Sequence, residues 1–550
     1  METIFKGGLI VDGTGTAPRQ GDLGIRDGKV VNASELGADA NTVDATGKVV
    51  APGFIDIHTH FDPQLCWDGL ATPSLEHGVT TVVIGNCSLS LAPVRPDGAK
   101  DKLISMFQVI EDIKKPTFDA AVPFSWESFP EYLDFIRGNL GVNVGALIGH
   151  SAIRYYVMGA ASQERAATKD EIDAMCRIVE DAMAAGALGI SSSYVDMDEQ
   201  MKPVPSRFAE IDEKLALAQA MSGSGRGIWQ VVPYFMDPAQ VEANIRELGD
   251  ISLAAGVPCS LQPVLASGRE AVQVAALAAE HERGARVYGQ TMPRTFDMAM
   301  RLSETSMMLF GYPKWKSIMD MPLEDRREAF ADPANRDELV EQMVPRPGGG
   351  GFGIANMAVG EVYSKENKAY QGRKLAEIAE SEGKPIGAVV LDLANRDGLD
   401  TEFELKGVIN ADREAVAELI DSPYCHFGAS DAGAHITQFC GTGDTTYMLA
   451  HYVRETNHMS LERAVYRMTG EVAKDWGITD RGTLEEGMAA DVVIFDADKV
   501  AITRNEFVDD FPGEARRYMR RAEGYDAVLV NGEVVYGANG YTEARPGKVV

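Results

Sequence analysis

Two histidines with one residue between them, His58 and His60, close the apolar run of PGFIDIHTHFD. Side chains two apart in an extended strand point to the same side, so this spacing presents two imidazoles to one point. Neutral imidazole offers a lone pair at pH 7 and suits a borderline divalent ion such as zinc, which makes the pair a metal-ligand candidate. Other residues able to do chemistry also follow short apolar runs: Cys87 after GVTTVVIG, His150 after VNVGALIG, the serines Ser191 to Ser193 and Tyr194 after LGI, and Asp431 after CHFGAS. No GxSxG elbow occurs, so a serine-nucleophile hydrolase is not supported. The run PGGGGFG lacks the GxxxxGK spacing of a phosphate loop and reads as a hinge at Gly348 to Gly351.

The elements that must position these residues are legible as eight apolar runs, GFIDIH, GVTTVVIG, VNVGALIGH, LGISSS, GIWQVV, VPCSLQ, ARVYGQ and CHFGASD, with helix-like stretches between them. Strands alternating with helices predict parallel βαβ units, and eight of them predict an α/β fold of the TIM-type (β/α)8 barrel class. His58, Cys87, His150, Ser191 and Asp431 then fall at or just after the carboxyl ends of strands, where barrels place their chemistry. Residues 1–51 and 481–550 carry short strands with Asp-Gly and Asn-Gly hairpin signals, which predicts one small β-sandwich made from both termini around a barrel over 52–480. A stretch of about 296–422 between the seventh and eighth strands is too long for a connecting loop and predicts an insertion with helices at LEDRREAFADPANRDELVEQM and REAVAELIDS. A lid over the barrel mouth and a passive bundle on its side are both open for it.

The 550 residues carry 52 basic and 82 acidic side chains, a formal charge of −30 with no basic run, which argues against nucleic acid and anionic membrane partners. A small-molecule substrate is expected, and self-association is left open. The start METIFKGGLIVDG has no basic segment followed by an apolar one, and no run of about eighteen apolar residues occurs, so a cytoplasmic location is expected. Six cysteines without CxxC spacing argue against a disulfide framework.

The motif PGFIDIHTHFD resembles the opening metal motif of the amidohydrolase superfamily. In order along the chain, GVTTVVIGNCSLSLAPVRP, ALIGHSAIR, GALGIS, GASDAGAH and DRGTLEEGMAADVVIFD are similar to landmarks of its N-acyl-D-amino-acid deacylase (D-aminoacylase-like) branch. The resemblance implies a metal-bearing barrel with a sandwich from both termini, His58, His60 and Cys87 as ligands, and Asp431 as a ligand and as the base that takes a proton from water. It also implies cleavage of a C–N bond of a small molecule, with N-acyl-D-amino acids as substrates. The branch's second metal position uses histidines ending the fifth and sixth strands, where this chain has Gln230 and Gln262, and a neutral amide is a poor substitute. One zinc ion is therefore expected; a second, weakly held ion assisted by His150 or His435 is the alternative. Further expected roles are His150 polarising a carbonyl, Arg154 clamping a carboxylate, His435 shuttling a proton, and Tyr194, Gln230 and Gln262 touching substrate. Hydrolysis of an ester, lactone or cyclic amide, carbon–carbon cleavage, and a barrel kept only for binding are the rival readings.

Overall fold

The computed structural model describes all residues except 1, 97, 235–236, 310 and 345–352, so the expected hinge at Gly348 to Gly351 lies outside the described residues. Each of the eight apolar runs forms a strand: β1 (Phe54–Asp56), β2 (Val79–Ile84), β3 (Asn143–Gly149), β4 (Gly189–Ser193), β5 (Ile228–Val232), β6 (Cys259–Leu261), β7 (Val287–Thr291) and β8 (Cys425–Phe427). They make one all-parallel sheet in chain order. Parallel strands covered on both faces read as unbroken apolar runs, which is why these segments do not alternate. The sheet curls until its two outer strands meet: just past β1 and β8, Thr59 and Ala432 form a parallel bridge, and His60 N donates to Ala432 O at 2.7 Å.

The two ends of the chain share a single nine-stranded sheet. Val49–Pro52 pairs in parallel with Glu2–Ile10 and antiparallel with Val492–Phe495, which carries the later strands Tyr525–Val530 and Glu533–Gly537. Two of its tight turns follow from their sequences. Asp27-Gly28 and Asn531-Gly532 each place two successive residues at positive φ, as the hairpin turn that joins right-twisted strands requires. The last residues run back to the barrel, where Val144 N donates to Lys548 O and Val550 N to Val144 O.

Between β7 and β8 the chain builds a three-stranded antiparallel sheet, Phe296–Met300, Phe403–Ile409 and Ala358–Val359, with helices at Leu323–Ala331, Pro333–Gln342 and Arg413–Asp421. This stretch buries its own apolar cluster around Trp315, Phe330 and Phe403. A hairpin, Ala501–Phe511 with Ala515–Glu523, reaches residues that follow β1 and β8 of the curled sheet. There Tyr518 N donates to Ile436 O, and Phe511 packs edge-on to Trp67. Among the described residues no helix is long and apolar enough to cross a membrane.

Candidate metal centre

Four side chains converge at the carboxyl ends of β1, β2 and β8. Cys87 Sγ lies 3.5 Å from His58 Nε2 and 3.6 Å from His60 Nε2, and Asp431 Oδ1 lies 3.6 and 3.2 Å from the same two nitrogens. Zinc bonds of about 2.0–2.1 Å to nitrogen or oxygen and 2.3 Å to sulfur would set tetrahedral edges of about 3.6 Å for N···S and about 3.3 Å for N···O. The four N···S and N···O separations lie close to those edges. Two overlapping triads meet the geometry for an ion, His58 with His60 and Cys87, and His60 with Glu111 and Asp431.

The backbone is bent to deliver these groups. Cys87, Ser88, Asp431 and His435 all have φ between 47° and 66°, a region that costs side-chain-bearing residues energy and persists where the surroundings fix it. Gly85 enables the turn before Cys87: its φ is +80°, and a Cβ there would lie 1.9 Å from the Leu147 carbonyl oxygen. The far nitrogen of each imidazole is also directed. His58 Nδ1 faces Gln290 Oε1 at 3.1 Å, and the Gln290 amide in turn donates to Ser260; His60 Nδ1 faces Glu111 Oε1 at 3.4 Å. The Gln290 contact is of the kind that fixes the tautomer and aim of a metal-binding imidazole, whereas His60 Nδ1 and Glu111 Oε1 make no hydrogen bond among the described residues.

Burial dominates the electrostatics. It pushes the Cys87 thiol and the Glu111 carboxyl well above their usual ranges and the His58 imidazole down to about 3. For His60, burial pulls downward but the Glu111 and Asp431 carboxylates outweigh it and hold the imidazole at about 9. Asp431 resists burial through His60, His435 and His58 and stays well below the carboxylate range. His435, whose Nε2 is 3.5 Å from Asp431 Oδ2, is lowered by burial.

A cavity of about 870 Å3 opens over this cluster, and His58, Cys87, Glu111, Gln262, Asp431 and His435 line it. Gln262 reaches the cluster as a donor, its amide nitrogen 3.3 Å from Cys87 Sγ. Gln230 is buried beside it in β5, and neither amide atom has a hydrogen-bond partner among the described residues. Phe296 and Ile409, from the sheet between β7 and β8, also line the cavity, so that insertion contributes wall.

Four residues expected at the site do not line the cavity: His150, Arg154, Tyr194 and Gln230. GHSAIR is not a loop: it opens the helix α1 (His150–Met158), which begins directly after β3. From it His150 Nε2 faces Glu213 Oε1 at 2.8 Å, and Arg154 pairs with the other Glu213 oxygen; Glu213 lies on the helix α2 (Ile211–Ser222). All three are fully buried and none lines the cavity. Tyr194 lies beneath Lys214, whose Nζ is 4.0 Å from the ring centre, with its hydroxyl buried, and is likewise absent from the lining. Ser191, Ser192 and Ser193 brace neighbouring loops through Ser88, His150 and Asp196.

Glu111 and Asp196 were not singled out from the sequence, yet both line the cavity. The available signal for Glu111 was an acidic pair, Glu111-Asp112, closing the apolar stretch LISMFQVI inside the long connection between β2 and β3. Nothing local shows that this connection folds back over the strand ends, where His435 N donates to the Glu111 carbonyl at 2.6 Å.

Comparison with known proteins agrees with this geometry. The family model described as Amidohydrolase family matches residues 41–335 and 372–536. D-aminoacylase of Alcaligenes xylosoxydans xylosoxydans is 29% identical over 564 residues, covering 100% of this chain and 97% of its own. Among solved structures, N-acyl-D-glutamate deacylase of Bordetella bronchiseptica, complexed with zinc and a phosphonate mimic of the tetrahedral intermediate, is 27% identical with a TM-score of 0.65, covering 100% of this chain and 98% of that one. A D-aminoacylase described through its binuclear metal centre, with one-metal activation and second-metal attenuation, is 26% identical with a TM-score of 0.65, covering 100% and 99%. With the His-x-His pair, the thiol and the carboxylate gathered at the mouth of a curled parallel sheet, and with relatives spanning its whole length, the chain belongs to the amidohydrolase family, in its D-aminoacylase-like branch.

Proposed function

We propose that the protein is a zinc-dependent hydrolase that cleaves the C–N bond of an amide-type small molecule, as an N-acyl-D-amino-acid deacylase does. The convergence of His58, His60, Cys87 and Asp431 at zinc-compatible spacing under one cavity carries this reading. Zinc held there would polarise a carbonyl and bring the pKa of water toward about 7. Asp431, ionised at neutral pH, accepts the proton of the attacking water and returns it to the leaving nitrogen. His435, kept neutral by burial and within reach of Asp431, is the relay through which that one proton passes from Asp431 to the leaving nitrogen. Gln262 directs an N–H at the Cys87 sulfur, which stabilises the thiolate without competing for the ion.

The same reading assigns one ion per chain, since Gln230 and Gln262 stand where the branch places its further histidines. It takes the curled sheet as a TIM-type barrel over 52–480, the terminal sheet as a sandwich of 1–51 and 481–550, and 296–422 as an insertion. Six unpaired cysteines fit a reducing cytoplasm.

Metal analysis on the purified protein and on the His58→Ala/His60→Ala variant tests the assignment, together with hydrolysis, by both, of N-acyl amides with and without a carboxylate beside the scissile bond. About one zinc per chain that disappears in the variant along with amide hydrolysis is the expected result. No metal under zinc-replete conditions refutes it.

A further inference from the structure

The cavity over the metal centre is built for an uncharged occupant. More than half of the residues lining it are apolar, with walls from Val195, Met197, Val232, Val241, Leu265 and Met292. Its charged lining residues are four acids, Glu111, Asp196, Glu242 and Asp431, and one arginine, beside neutral polar groups such as Gln262, Gln273 and His435. Among the described lining residues the one arginine or lysine is Arg269, which is exposed in the segment between β6 and the helix starting at Glu270, and so stands at the rim.

The other guanidinium groups of the region are engaged elsewhere. Arg294 is held by Asp444 and by the carbonyls of Cys440 and Gly441, Arg207 donates to the carbonyls of Val195 and Asp196, and Arg154 is locked onto Glu213. A carboxylate placed beside a bond undergoing cleavage would lose its water without gaining a cation. A zinc ion would not supply one, since the Cys87 thiolate and the Asp431 carboxylate already balance its two charges. At about 870 Å3 the cavity also lies near the upper end of the roughly 300–1,000 Å3 typical of small-molecule sites, far more than a short acyl group fills.

We infer that this site selects amides with large apolar substituents and no carboxylate next to the scissile bond, in contrast to the acidic substrate named for the N-acyl-D-glutamate deacylase above. The inference rests on the hydrolase reading for the word amide, but its test does not depend on turnover. Binding to the zinc-loaded full-length protein is measured by calorimetric titration with two ketomethylene isosteres, in which CH2 replaces the amide nitrogen. One is the isostere of N-octanoyl-D-methionine; the other lacks only its carboxylate. The carboxylate-free compound is expected to bind at least about tenfold more tightly, a difference of about 1.4 kcal/mol. Equal or tighter binding of the acid overturns the inference, as does failure of both to bind. Should the acid bind more tightly and lose that advantage in Arg269→Gln, the rim cation is a carboxylate clamp, which also overturns it. Incubation of the parent amides reads the hydrolase assignment separately, as cleavage or its absence.

Discussion

At the scale of single residues, the proposal of a single ion turns on two amides at positions where the family resemblance implies histidines. Gln230 is buried with both amide atoms unpartnered, and Gln262 spends its nitrogen on the Cys87 sulfur. Restoring imidazoles there supplies lone pairs where amides offer little to a transition metal. The Gln230→His/Gln262→His variant is expected to rise from about one to about two zinc ions per chain by elemental analysis, because position 262 already reaches the Cys87 sulfur and position 230 is buried with polar atoms free among the described residues. These positions were legible in the sequence because a strand end fixes where its residue points. His58, His60, Cys87 and Asp431 were legible for the same reason. Glu111 was not, because its place depends on the path of a long connection, and no periodicity encodes such a path.

At the scale of elements, the eight apolar runs and both hairpin turns were readable because burial on two faces and positive φ each leave a local mark. His150 and Arg154 were misplaced because the segment after β3 was read as loop. As helix α1 it carries these residues on one face, four apart, against Glu213 of α2. The helix contact is a buried charge cluster with Glu213 at its centre, 1% exposed. Glu213→Ala leaves Arg154 charged and unpaired in the interior, and removing one partner from such a pair costs about 3–5 kcal/mol. Thermal unfolding of the variant is expected to show that loss, while its zinc content stays at the wild-type value; a variant that loses zinc with unchanged stability would place the cluster in the metal site after all.

At the scale of the molecule, several buried carboxyls set how stability follows pH. Burial raises Asp56 to about 7 even though Ser430 Oγ donates to it at 2.6 Å, and raises Asp112 to about 6. Both values exceed that of an unfolded aspartate, so the folded chain holds more protons than the unfolded one across this interval. The stabilisation from each is complete below about pH 4 and is lost as pH climbs through 6 and 7. The zinc-free protein is expected to unfold more easily at pH 8 than at pH 5. Asp56→Asn should flatten that slope, gaining on the parent by up to about 1.4 kcal/mol per pH unit between those limits. A variant whose unfolding curve keeps the parent's pH slope would remove Asp56 from this role.

The shared terminal sheet has a consequence for biosynthesis. Val49–Pro52 is flanked by Glu2–Ile10 on one side and by Val492–Phe495 on the other, and roughly 440 residues separate it from that second neighbour. A ribosome adding about 5–20 residues per second leaves that edge without its partner for about 20–90 s. An unpaired edge is a template for any passing strand, including the same segment of another nascent chain. Substitutions at this seam would thus act first on how many chains leave the ribosome correctly assembled, before the chemistry of the pocket is touched.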